Sequence, residues 1–270
     1  MKYVSTIGWP LASVNHSPVA DPARAAPLVS ALQTAAAEED FASAWQDGLD
    51  LLGTLAGVKP ACLLYANCSW AEPMAGFARN LGLERLDFAT QYPSRFSEAL
   101  PAWYVETLEG RSVLLLPRAR LADARAATAS PFIAPSTEAR LLGYPECCVV
   151  AHQEQSLAFA NLWVELARRF AGSDETRLGE LARSGWLPSP RDEGERSRIL
   201  DALAADLEPM TSINRCPACK AGGAQSAAAR EGDALRAVAE SSGYSEKKTA
   251  IGLMADRVNP CSTCIATVSS

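Results

Sequence analysis

Histidine is almost absent from this sequence of 270 residues, which contains only His16 and His152. A metal or catalytic site made mainly of imidazole groups is therefore excluded. No Gly-x-Ser-x-Gly elbow occurs, which argues against a serine hydrolase. The glycine patterns of a P-loop and of a dinucleotide-binding turn are missing as well. Neither ATP nor NAD is therefore an expected cofactor.

Long apolar runs and clusters of basic residues are also lacking. No segment approaches the roughly 20 apolar residues that a membrane helix needs. The formal net charge of −6 disfavours nucleic acid and anionic membranes as partners. The first residues are too polar for the hydrophobic core of a secretion signal. We therefore expect a cytoplasmic protein that has no nucleic-acid or membrane partner.

The first half of the chain alternates between short apolar runs and helix-like segments. The pattern predicts strands over 61–67, 83–89 and 112–117, and helices over 72–81 and 96–108. Such alternation is typical of a small α/β unit with a partly parallel sheet. We therefore expect an α/β domain over residues 1–134.

The second half has a different pattern, which begins after a Pro-rich segment at 130–136. Phe159, Trp163, Leu166 and Phe170 recur at helical spacing and predict an amphipathic helix that faces a core. A further helix is predicted over 224–241. We expect residues 135–270 to form a mainly helical, metal-binding domain that contains most of the chemistry.

Cysteine is the residue that carries the chemical signal, with eight in the chain. Two Cys-x-x-Cys pairs occur, Cys216–Cys219 and Cys261–Cys264. Two thiolates at this spacing can turn inward on one tight turn and grip a single ion or cluster. Pro217 and Pro260 preorganise these turns, because proline restricts the backbone. Cys62 and Cys68 accompany the first predicted strand, and we interpret both as core residues.

A third cysteine pair lies in the string GYPECC at 143–148. Gly143 is suited to end one helix and Pro145 to begin the next, so Cys147 and Cys148 should lie in a first turn. Free amides and the helix dipole there should lower the thiol pKa. Adjacent side chains diverge along a helix, so we expect one cysteine to be a ligand and the other to be buried or to reach a substrate.

Several kinds of site remain compatible with these cysteines. An iron–sulfur cluster, such as a [4Fe–4S] centre, could be shared among six ligands: Cys147, Cys148, Cys216, Cys219, Cys261 and Cys264. Zinc is the main alternative, since the two Cys-x-x-Cys pairs alone supply four thiolates. A redox-active dithiol and reduced core cysteines are further readings. The cluster is favoured because zinc bound by those two pairs would leave Cys147 and Cys148 without a role.

The string GYPECCV resembles a Gly-Tyr-Pro-x-Cys-Cys signature in a family of uncharacterised prokaryotic proteins. The resemblance covers about a dozen residues around 141–152. It implies only that Cys147 and Cys148 belong together as a functional unit.

These observations predict an iron–sulfur enzyme that acts on a small molecule by substrate activation, sulfur transfer or redox chemistry. It would be a lyase, a sulfurtransferase or an oxidoreductase, served by an electron or sulfur donor protein. The candidate catalytic residues are Cys147, Cys148, His152, which lies one helical turn further on, and Glu146. The alternative is a binding or scaffold protein that zinc stabilises and that has no catalytic activity.

Overall fold

A computed structural model describes residues 19–34, 41–184, 190–202 and 216–244. The first half contains helices and three strands: α1 (Pro22–Thr34), α2 (Phe41–Leu55), β1 (Cys62–Tyr65), α3 (Ala71–Asn80), β2 (Glu84–Ala89), α4 (Ser94–Ala99), α5 (Ala102–Leu108) and β3 (Arg111–Leu116). The described part of the remaining chain is helical: α6 (Leu121–Ala127), α7 (Pro135–Leu142), α8 (Glu146–Ala171), α9 (Glu175–Arg183), α10 (Glu193–Ala202), α11 (Pro217–Ala221) and α12 (Ala227–Ser242).

The predicted fold class, an α/β part followed by a mainly helical part, is confirmed. The pairing within the sheet differs from the expected partly parallel arrangement. The strand order is β1-β3-β2, and β3 is antiparallel to both of its neighbours. β1 and β2, which α3 connects, run in the same direction but are separated by β3. The predicted alternation of strand and helix is present. Because β3 lies between β1 and β2, both strand pairings in the sheet are antiparallel.

The two faces of this sheet contribute to different cores, because side chains alternate along each strand. The first, which we call the apolar face, includes Cys62, Leu64, Val113 and Leu115, and it packs with residues of α1, α2, α3 and α12. The second, which we call the cysteine face, includes Leu63, Leu114 and Leu116, and it packs with residues of α6, α7, α8 and α11. Burial on both faces explains why β3 is a continuous apolar run.

Two predicted helices differ in detail from the structure. The helix predicted over 96–108 is divided into α4 and α5, because Leu100 precedes Pro101 and adopts an extended conformation. On α8, Trp163 and Leu166 are buried as predicted, whereas Phe170 is exposed.

The core clusters combine residues from both sides of the predicted domain boundary at residue 134. Leu235 and Val238 of α12 belong to the core of the apolar face, and Leu114 belongs to the same core as Cys148. The division into two domains therefore stays a prediction. Of the helices that the structure describes, none combines the length and the apolar character needed to cross a membrane.

Candidate metal centre

The chain enters α8 through a tight junction at Gly143. This glycine ends α7 with a φ of 88°, a left-handed conformation that favours glycine. A β-carbon at this position would lie 2.6 Å from Cδ of Pro60, so backbone conformation and space both require a glycine here. Pro145, two residues after Gly143, is the N-terminal cap of α8, so the predicted start of a helix at this proline is confirmed.

Tyr144 anchors the same junction to the first half of the chain. Its hydroxyl oxygen accepts a hydrogen bond from Lys59 Nζ at 2.6 Å and lies 3.1 Å from Oδ2 of Asp50, to which it donates. Lys59 Nζ also forms an ion pair with Asp50 at 2.7 Å. All three residues are buried. The sequence reasoning missed this network, and its only signal was a lysine between two apolar segments.

The Cys216–Cys219 pair lies on the other side of the candidate site. Cys216 is the N-terminal cap of α11, and its Sγ accepts a hydrogen bond from the Cys219 amide at 3.4 Å. Pro217 occupies the first turn, as expected for a residue that preorganises the backbone. The turn therefore directs both sulfur atoms to one side.

Four thiols converge where the starts of α8 and α11 meet. The Sγ atoms of Cys147, Cys148, Cys216 and Cys219 all lie within 4.8 Å of one another. The Cys147 and Cys219 sulfur atoms are 3.6 Å apart, and the Cys216 amide donates to Cys148 Sγ at 3.5 Å. Cys147 is exposed and the other three cysteines are buried. These four cysteines could hold a metal ion.

The expected divergence of Cys147 and Cys148 was wrong, because both sulfur atoms belong to the group. Side chains in a helix tilt toward its N-terminus, so two neighbours in the first turn can reach a point just beyond the helix start. Four of the six cysteines predicted to be ligands are described, and these four lie together. Cys216 and Cys219 have Cys147 and Cys148 as their neighbours, whereas Cys261 and Cys264 lie outside the described residues.

The electrostatics of the group correct another expectation. Burial, together with the neighbouring Cys216 and Cys219, raises the pKa of Cys147 to about 11. Burial also raises the pKa of Cys148. The predicted lowering of these two pKa values by the helix start was wrong, because burial dominates the shift of both thiols. Deprotonation of all four adjacent thiols is unfavourable, because each negative charge disfavours the deprotonation of its neighbours. A bound cation would remove that penalty.

Cys216 differs from its neighbours. Burial acts to raise its pKa, but the hydrogen bond from the Cys219 amide and contacts with the other thiols outweigh burial and lower the pKa. Cys216 therefore ionises more readily than Cys147 and Cys148, and it can provide an early ligand bond to an arriving ion.

The other predicted site residues lie near the thiols but outside the group. Glu146 is exposed in the first turn of α8. His152 lies one turn after Cys148 and lines a cavity, described below. Their catalytic roles stay predictions. Cys62 is fully buried, and Cys68 packs against the same core.

Comparisons with protein-family models, with curated proteins and with solved structures give no match. The resemblance of the GYPECCV string to a prokaryotic family therefore stays a prediction, and the site is interpreted from its own residues.

Proposed function

We propose that this protein is a metalloprotein in which Cys147, Cys148, Cys216 and Cys219 hold a single tetrahedral zinc ion. The observation that carries the proposal is the spacing of the four sulfur atoms, all within 4.8 Å of one another. With Zn–S bonds of about 2.3 Å, the sulfur atoms of a tetrahedral site are about 3.8 Å apart. The 3.6 Å between the Cys147 and Cys219 sulfur atoms fits this value.

The zinc ion would act as a cross-link. Cys148 and Cys216 are separated by 68 positions in the sequence, and α11 is a short helix of five residues that cannot be stable by itself. Metal-binding energy in such a site is folding energy, because the unfolded chain does not hold the four ligands together. The four thiolates require a reducing compartment, which agrees with a cytoplasmic location.

The second candidate is the iron–sulfur enzyme that the sequence suggested. The observation that favours it is the exposure of Cys147, because a cluster held by the three buried cysteines alone would have one iron open to a substrate on that side. It would act on a small molecule and receive electrons or sulfur from a donor protein. Each thiolate of a four-iron cluster binds a different iron, so the sulfur atoms spread wider than around one ion. The compact group therefore favours zinc.

Metal analysis of protein purified without oxygen separates the two candidates. We expect about one zinc per chain and a colourless solution, because the d-shell of zinc is full. Iron and sulfide, together with an absorption band at roughly 400 nm, would establish an iron–sulfur cluster instead. Absence of both metals from protein produced with each in the medium would contradict the proposal of a metal centre.

A further inference from the structure

A cavity of about 560 Å³ lies on the cysteine face of the sheet. Its floor is a row of three side chains that lie opposite one another on the three strands, Tyr65, Ser112 and Phe88. Its volume is within the range of small-molecule sites, roughly 300–1,000 Å³. The cavity is therefore large enough for a ligand of ordinary metabolite size.

Helices α7 and α8 supply one wall of this cavity. Glu138 comes from α7, and His152, Gln153 and Ser156 come from α8. His152 lies four residues after Cys148, which is about 6 Å along the helix axis. The cavity and the metal centre therefore share one rigid element.

The accessible surfaces of Tyr65 and His152 face into this concave space. Tyr65 is 50% exposed, yet burial and the nearby Glu138 charge raise its pKa to about 12. His152 is also exposed, and burial lowers its pKa, which favours the neutral imidazole. A side chain can be accessible and still have a pKa shifted by desolvation. This occurs when its accessible surface faces a cavity whose walls exclude much of the solvent.

The cavity has acidic groups and few cationic ones. The Glu138 carboxylate accepts a hydrogen bond from Gln153 Nε2 at 2.6 Å, and among the described residues it has no cationic partner. Burial raises its pKa. Arg111 is the only lysine or arginine among the described lining residues, and its side chain is 73% exposed and ion-paired with Asp87. Glu138 is therefore a half-buried carboxylate without a counter-ion among the described residues, and such a group is complementary to a cation from outside the protein.

Aromatic side chains form much of the remaining surface. Phe88, Tyr92 and Phe96 line the cavity together with Tyr65. Aromatic rings provide apolar contact area and attract cations over their faces. The lining therefore suits an apolar body and a positively charged group in the same molecule.

We propose that this cavity binds a small protonated amine with an apolar or aromatic body, its ammonium group at Glu138 and its body against Phe88, Tyr92 and Phe96. The site goes beyond the metal centre and does not depend on which metal the cysteines hold.

The test compares three ligands of similar shape and different charge, titrated into the full chain with its metal bound. The probes are phenethylamine, 2-phenylethanol and 3-phenylpropanoate, and binding is measured by calorimetry and by amide chemical shifts of residues 152–156. We expect phenethylamine to bind with a Kd of about 1 mM, a typical affinity for so small a ligand. The alcohol should bind roughly tenfold more weakly, and the carboxylate should not saturate the protein.

The variant Glu138→Gln tests the assigned counter-ion, and Glu180→Gln, an exposed position on α9, is the charge-matched control. Glu138→Gln should weaken phenethylamine binding roughly tenfold and leave 2-phenylethanol unchanged, while Glu180→Gln should change neither. Equal affinity for the amine and the carboxylate, no binding of any probe, or full amine affinity in Glu138→Gln would overturn the proposal. If Glu138→Gln does not fold, the comparison of the three ligands on the unmodified chain decides.

Discussion

The two faces of the three-stranded sheet are stabilised in different ways. The apolar face is covered by a core in which side chains such as Leu64, Leu52 and Met74 are fully buried. The cysteine face has fewer buried residues and contains the four thiols and the cavity. Apolar burial covers most of the first face, whereas the second face combines a smaller apolar core with four thiols that could hold a metal ion.

The two faces also differ in the side chains that they carry. The side chains that could bind a metal or a ligand all lie on the cysteine face. They are the four clustered cysteines, His152 and Glu138. The link between the faces is the network of Tyr144, Lys59 and Asp50, which joins the start of α8 to α2. Each of the following predictions alters one face or this link.

The largest effect is expected on the cysteine face, from Cys219→Ser. This change should reduce the amount of bound metal and lower the free energy of unfolding by about 3 kcal/mol or more. That loss is a fraction of the free energy that zinc binding contributes in zinc-finger peptides, about 10–16 kcal/mol. Hydrogen exchange should accelerate in α11 and in the first turn of α8, while the amides of β1 and β3 keep their protection. Metal content and denaturant unfolding are the measurements.

Two control variants test whether the loss of metal is specific to the four clustered cysteines. Leu64→Ala on the apolar face should lower the free energy of unfolding by about 2–5 kcal/mol and leave the metal content of the folded protein unchanged. Cys68→Ser, which removes a thiol outside the group, should keep the metal. A Cys219→Ser protein with full metal content and unchanged stability would show that Cys219 is not a ligand.

A smaller effect is expected at the link between the faces, from Tyr144→Phe. The change removes a buried hydroxyl that bonds both Lys59 and Asp50, and it should lower the free energy of unfolding by about 1–2 kcal/mol. Metal content should not change. Tyr104→Phe is the matched control, because that hydroxyl has no hydrogen-bond partner among the described residues. Equal stability of the two variants would argue against a stabilising role for the network.

Stability should also depend on pH through the apolar face, where burial raises the pKa of Asp47 to about 7 despite the hydrogen bond from Trp70. The folded state then holds this proton more tightly than the unfolded state, so stability should fall as pH rises from about 4 to 7 and level off above 7. The slope from one such group is at most about 1.4 kcal/mol per pH unit.

The variant Asp47→Asn isolates this contribution. Denaturant unfolding between about pH 5.5 and 8 should show a shallower slope in the variant than in the unmodified protein. Some slope should remain, because burial also raises the pKa of Glu231 to about 7. Identical slopes in the two proteins would mean that Asp47 ionises in the folded state as easily as in the unfolded state.

Local features of this protein follow from neighbouring residues, and the sequence therefore predicted them well. The three strands coincide with the three segments predicted to be strands, and α8 begins after Pro145 as expected. The Cys216–Cys219 turn likewise depends on nearby groups, since Pro217 and the Cys219 amide lie within three residues. Such elements depend on backbone preferences and local hydrogen bonds.

The sequence alone was enough to predict three short strands, the helical character of the described part of the second half, and the positions of Cys147, Cys148 and Cys216 at helix starts. Only the tertiary structure decided that β3 lies between β1 and β2, that Cys147 and Cys148 meet Cys216 and Cys219, and that Glu138 and His152 share a cavity. The physical reason is that these relations join residues many positions apart. Their proximity depends on how the apolar surfaces of whole helices and strands pack together, and the spacing of residues along the chain contains no direct record of that packing.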